Sequence, residues 1–148
     1  MKSNNKIKFF AIICSIFLFY CNESYSKENF FEKAKDLYDK KNYEDSKFLF
    51  QRNIVFHPKH AKSYLYLAKI YLEEENDKKE EKNLKTAFLL EPNDEEVIYM
   101  LININLKKSN FSKVEELREK FEIVCTSLCK KTSSIEKRLN EIQAKGDS

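Results

Sequence analysis

Glycine is nearly missing from this chain: Gly146 is the only one in 148 residues, and it lies in the C-terminal tail. Phosphate-cradling loops rely on glycines that let backbone N–H groups close around the ligand, so dinucleotide and nucleotide-triphosphate fingerprints are excluded. Proline is almost as scarce, with Pro58 and Pro92 alone. An all-β fold uses both residues in its many tight turns, so an all-α fold is predicted. Tryptophan is absent, and His57 and His60 are the only histidines. No cysteine or carboxylate cluster beside them completes a metal site. No serine stands with a suitable His and Asp, and the runs Glu73-Glu74-Glu75 and Lys78-Lys79-Glu80-Glu81 read as solvated helix ends. Neither an enzyme nor a cofactor is expected.

The N-terminus reads as a processing signal. Lys2, Lys6 and Lys8 precede an apolar run from Phe9 to Tyr20, and Ser24-Tyr25-Ser26 supplies small residues for a peptidase. The run falls short of the roughly 20 apolar residues a spanning helix needs. Cleavage after Ser26 is predicted, which exports the mature chain, with the periplasm as its destination. The alternative is an inner-membrane anchor at residues 9–20. Lipidation at Cys21 is disfavoured, because Phe19 and Tyr20 stand where small residues are required.

Losing residues 1–26 leaves 24 basic against 23 acidic residues. That balance gives no case for nucleic acid, which requires a clearly basic face. Cys125 and Cys129 remain, and an even pair in an exported chain suggests a disulfide. On an ideal helix their spacing would stretch a bridge, so local distortion is expected. Free thiols or a metal site are the alternatives.

Pro58 and Pro92 stand 34 residues apart, and the residues between them align at the same offset. Phe30, Tyr64 and Ile98 fall in register, as do Ala34, Ala68 and Ile102, and Phe56, Leu90 and Val124. Within a unit the apolar spacing is helical, as in Tyr64, Leu67, Ala68 and Tyr71. Polar breaks at Lys41-Asn42, Glu75-Asn76 and Ser109-Asn110 split each unit into two helices. Helices are predicted over 28–40, 43–56, 61–74, 77–90, 95–108 and 111–129. A last helix over 134–144 has Ser133 as its N-cap, Glu136 completing a capping box, and Ile135, Leu139 and Ile142 on one face.

These residues resemble the tetratricopeptide repeat family, most clearly from Ala61 to Asp94, where Tyr64, Leu67-Ala68, Tyr71, Ala87 and Pro92-Asn93 match its pattern. Lys33, Glu80, Asn105 and Thr126 depart from it. The resemblance implies a right-handed α-solenoid of three helix pairs plus a C-terminal capping helix. Its parts are a signal peptide at 1–26, repeats at 27–60 and 61–94, a degenerate repeat at 95–130, and a capping helix and tail at 131–148.

In that family the first helix of each pair lines a concave groove that carries ligand peptides. Carried over, Phe31, Leu65 and Tyr99 form one apolar ladder and Tyr38, Leu72 and Leu106 a second, with Lys35, Lys69 and Asn103 between them. The family's grip on terminal carboxylates is not matched here. The expected function is a non-enzymatic scaffold or adaptor in the bacterial envelope that holds a protein or peptide partner, with no small-molecule substrate. The alternatives are a redox-sensitive accessory protein working through Cys125 and Cys129, and a self-associating structural protein that forms a homodimer.

Overall fold

A computed structural model describes residues 29–146. The leader, its predicted cleavage point, Cys14 and Cys21 lie outside the described residues. Seven α-helices are present among them: α1 (Phe30–Asp39), α2 (Tyr43–Phe56), α3 (Ala61–Glu73), α4 (Asp77–Leu90), α5 (Glu95–Lys107), α6 (Phe111–Val124) and α7 (Thr132–Gly146). The first six form three antiparallel pairs, and the boundaries of α1 to α5 are close to those predicted.

The turn inside each pair repeats in atomic detail. Lys41, Glu75 and Ser109 have φ of 60°, 54° and 53°, at 34-residue intervals. Each closes the preceding helix with two backbone bonds. In the first pair the Lys41 N–H reaches Tyr38 O and the Asn42 N–H reaches Leu37 O, and Glu75-Asn76 and Ser109-Asn110 do the same. This is the αL helix ending that usually employs glycine. Here three side-chain-bearing residues accept the left-handed backbone, which is how the chain folds with one glycine in its tail. Asn42 and Asn76 then cap the next helix by accepting from Asp45 N and Lys79 N.

The residues before the two prolines leave the helical region, His57 at φ −133°, ψ 70° and Glu91 at φ −131°, ψ 80°. Proline excludes helical backbone from the residue before it, so the second helices of units one and two stop there. Unit three has Thr126 at that place and ends differently. Helix α6 stops at Val124 rather than continuing to residue 129, and Cys125 is extended at ψ 143°. A 3-10 turn at Cys129–Lys131 leads into α7 at Thr132. Ser133 therefore lies inside the helix instead of capping it. Glu136 turns toward Arg118, at 3.7 Å, rather than closing a capping box.

Two apolar clusters hold the stack together, and α3 contributes to both. Leu67, Ile70 and Tyr71 pack with Ala34 and Phe50 of the first pair. Leu65 and Ala68 point the other way, into a cluster with Leu84, Ile98, Leu101, Phe121, and Ile135 and Leu139 of α7. Burial of a large aliphatic or aromatic side chain contributes about 1.5–3 kcal/mol, so these two clusters are the main source of stability. Helix α7 closes the open end of the second cluster, as a solenoid's last unit must.

Candidate partner-binding site

The predicted groove residues sit on the three first helices, and the structure divides them. Phe31 packs its ring 4.5 Å from His60 and 5.8 Å from Tyr66. Tyr38 meets the edge of Tyr66 at 5.1 Å and Tyr43 at 5.5 Å. These rings fill the seam between α1 and α3. Leu65 is 1% exposed in the cluster shared with α5, and Leu106 is 1% exposed in the same cluster as Ile135 and Leu139 of α7. Tyr99 is half-buried beneath Lys131, whose Nζ lies 5.8 Å from its ring, and Asn103 Oδ1 accepts from Arg138 Nη1 at 2.5 Å.

Leu65 and Leu106 therefore do not line an open trough, which corrects the expected ladders. The reason is geometric. An inner solenoid helix touches its own partner helix, the previous unit and the next one. Helix α3 accordingly buries seven of its thirteen residues, a wider arc than the single stripe legible in the sequence. Residues that look outward from one stripe serve the seam to the following unit.

What stays open is the surface over α1 and α3: Lys35, Tyr38, Tyr66, Lys69 and the 41%-exposed Leu72. Tyr66 was missing from the sequence reading, because its helical phase assigned it to neither ladder nor stripe. It stacks on Phe50, with ring centroids 5.0 Å apart and an interplanar angle of 18°. Lys69 Nζ stands 4.7 Å over the Tyr66 ring and pairs with Glu96 at 2.6 Å. Lys35 pairs with Asp39 at 2.7 Å, and that hydrogen bond raises its pKa. Burial pushes the Tyr38 phenol up to about 12 and raises that of Tyr66. Both phenols are therefore protonated hydrogen-bond donors at neutral pH. The surface is a floor of aromatic rings crossed by two cations, each held by a carboxylate of the same chain.

His60 serves packing. His60 Nδ1 is 3.0 Å from Ser63 Oγ, which also accepts from the buried Asn53 Nδ2 at 2.8 Å. Burial lowers the His60 pKa, so the ring is neutral at pH 7.

Cys125 and Cys129 form a disulfide with Cα atoms 5.2 Å apart. The local distortion expected for this pair is the end of α6 itself: both cysteines lie beyond Val124, outside the helix. The five-residue loop they close surrounds the carboxylate of Glu95, at the start of α5. Thr126 N donates to Glu95 Oε2 at 2.7 Å and Leu128 N at 3.1 Å, while Ser127 N donates to both oxygens. The hydroxyls of Thr126 and Ser127 complete the cradle. These bonds, led by that of Ser127, bring the Glu95 carboxyl down to about 2.

No protein-family profile and no curated protein matches this chain. Solved structures do. The Yersinia enterocolitica type III secretion chaperone SycD, in complex with a peptide of the translocator YopD, superposes with a TM-score of 0.69 at 15% identity, covering 84% of this chain and 99% of that one. PcrH in complex with the chaperone-binding region of PopD gives 0.66 at 11%, covering 82% and 93%. The Sgt2 TPR domain from Aspergillus fumigatus gives 0.67 at 12%, covering 84% of each chain. The chain has the tetratricopeptide-repeat fold. In tetratricopeptide terms α1, α3 and α5 are the first helices of three repeats, and α7 stacks on the third as a closing helix.

Proposed function

We propose that the protein is a non-enzymatic scaffold that holds a peptide or helix of another exported protein on the face of α1 and α3. The observation that carries this reading is the aromatic floor of Phe31, Tyr38 and Tyr66 under Lys35 and Lys69. Rings supply apolar contact and lysines supply a charge for an incoming carboxylate, and peptide segments with apolar anchors fit such surfaces. Glu96 and Asp39 hold those lysines in the free protein, so an acidic side chain of the partner would replace them. SycD and PcrH, of the same fold, were solved with a peptide of YopD and the chaperone-binding region of PopD, which supports a peptide as the ligand class. Tyr99 and Asn103 form the far margin of this face, where α7 already sits. The positive leader and short apolar run at the N-terminus support delivery to the envelope.

The test compares affinity capture from an envelope fraction by the wild-type chain and by Lys69→Glu plus Leu72→Glu. Leu72 is exposed and Lys69 is partly exposed, and circular dichroism would check that the variant keeps the fold. The expected result is a captured protein that disappears with the variant. Recovery of the same proteins by both baits would rule out this face as the binding surface.

A further inference from the structure

The outer side of the stack carries a charge pattern that contacts among the described residues satisfy only in part. Exposed residues on the second helices recur every 34 positions, so they stand as rungs at equal height on neighbouring helices. On α4 the rungs are Lys82, Lys85 and Leu89, and on α6 they are Glu116, Glu119 and Ile123, all exposed. Steps of three and four residues place each trio on one side of its helix. Leu89 is 80% exposed and Ile123 is 83% exposed, the most open large apolar side chains among the described residues.

The two helices lie side by side, with Lys120 Nζ of α6 5.3 Å from the Phe88 ring of α4. They also run in the same direction, since the antiparallel α5 lies between them in the chain. Among the described residues, the side chains of Lys82 and Glu119 make no ion pair within the chain. Lys85 and Glu116 are tied only along their own helices, to Glu81 at 3.1 Å and Lys113 at 2.6 Å. A cationic strip and an anionic strip thus stand next to each other, each with an uncovered aliphatic residue at the same height.

We propose that this face binds the same face of a second copy of the chain, about a two-fold axis parallel to α4 and α6. Rotation about such an axis keeps every residue at its own height. Helix α4 of one copy then meets α6 of the other rung on rung. Lys82 faces Glu116, Lys85 faces Glu119, and Leu89 packs on Ile123. The symmetry makes every pair occur twice. An anionic membrane or a nucleic acid would attract α4 but be repelled by the glutamates of α6, whereas a second copy satisfies both signs. The patch is small and its charges stay near water, so the dimer is weak, reversible and weakened by salt. It uses the side opposite the proposed peptide surface and leaves that surface open, so the two proposals stand or fall separately.

Sedimentation velocity over a concentration series tests it, on the full-length gene product purified in the form the cell leaves it. The wild type should dimerise reversibly, and less so at high salt. Lys82→Glu plus Lys85→Glu should weaken association at least about tenfold, as should Glu116→Lys plus Glu119→Lys, because like charges then meet on every rung. Mixing the two variants should restore a heterodimer, and all four substitutions in one chain should restore the homodimer. Leu89→Ser should weaken association without changing charge. A wild type that stays monomeric throughout overturns the proposal. So does a dimer indifferent to salt and substitutions, or a failure of the two reversed variants to recover on mixing.

Discussion

Asn110 donates from Nδ2 to Asn105 Oδ1 at 3.2 Å, and in doing so leaves the amino end of α6 without a side-chain cap. Its counterparts Asn42 and Asn76 both cap their helices. The difference lies five positions back in the repeat: Leu37 and Tyr71 occupy the place of Asn105 in units one and two. A buried amide there must be satisfied. Leu101 O takes one of its N–H groups, and Asn110 supplies the donor for its oxygen.

Asn105→Leu removes the amide that needs satisfying and frees Asn110 to cap α6. A gain of about 1 kcal/mol is expected, a rise of about 4 °C in Tm for a domain of this size. Adding Asn110→Ala to that variant should remove the gain, which thermal denaturation would measure. If Asn105→Leu is destabilising, the recruited cap is not what limits this turn.

Glu80 is the least accommodated side chain in the stack. It is 2% exposed, and its Oε2 has no hydrogen-bond partner among the described residues. Its counterparts are Ser46, whose hydroxyl donates to Ala34 O at 2.8 Å, and the apolar Val114. Burial raises the Glu80 pKa, with Lys107 acting against it. The folded state therefore holds the proton more tightly than the unfolded chain. Stability linked to this group is complete below the unfolded value of about 4.3 and is lost as pH rises through the folded value. Glu80→Gln should be more stable than wild type at pH 7 to 8, by about 1 kcal/mol, with the gap closing near pH 4. Urea denaturation across that range would show it, and a gap that stays constant with pH would contradict the assignment.

The repeat register was fully legible from residue spacing, because stacked identical hairpins require their contacts at one interval. Polar breaks and prolines located the helix ends for the same reason. The binding surface was only half legible. Leu65 and Tyr66 are adjacent, and the sequence shows that both are apolar without saying which neighbouring unit each one meets. The ending of unit three was also hidden. Phe111 to Leu128 reads as one amphipathic helix, and only the capture of Glu95 by the loop backbone shows why α6 stops at Val124.

Glu95 behaves in the opposite sense to Glu80. Its carboxyl is held at about 2 by the Ser127, Thr126 and Leu128 donors, below the unfolded value. Its contribution is present above about pH 4.3 and is lost as pH falls through about 2. Glu95→Gln should expose the amides of residues 126–128. Hydrogen exchange there should be faster in the variant at neutral pH, while the difference between the two proteins in limited proteolysis of the loop should shrink as pH falls through about 2. Equal protection at neutral pH would mean that the loop holds its shape without the carboxylate.

The disulfide and Glu95 constrain the same five residues, so their effects should not add. Cys125→Ser plus Cys129→Ser releases a short loop, and the chain-entropy model gives a loss of about 2 kcal/mol. Glu95 recognises a run of three backbone N–H groups that the closed loop presents together. Once the loop is open, the carboxylate must order those groups itself, and it contributes less. In a double-mutant cycle Glu95→Gln should therefore cost less stability in the cysteine-free background than in wild type, with a coupling of at least about 0.5 kcal/mol. Helix α7 follows this loop directly, and reduction should loosen it first: proteolysis within 129–146 should accelerate under reducing conditions while α1 to α4 stay protected. Additive losses, or a uniform change in protection along the chain, would separate the disulfide from the docking of α7.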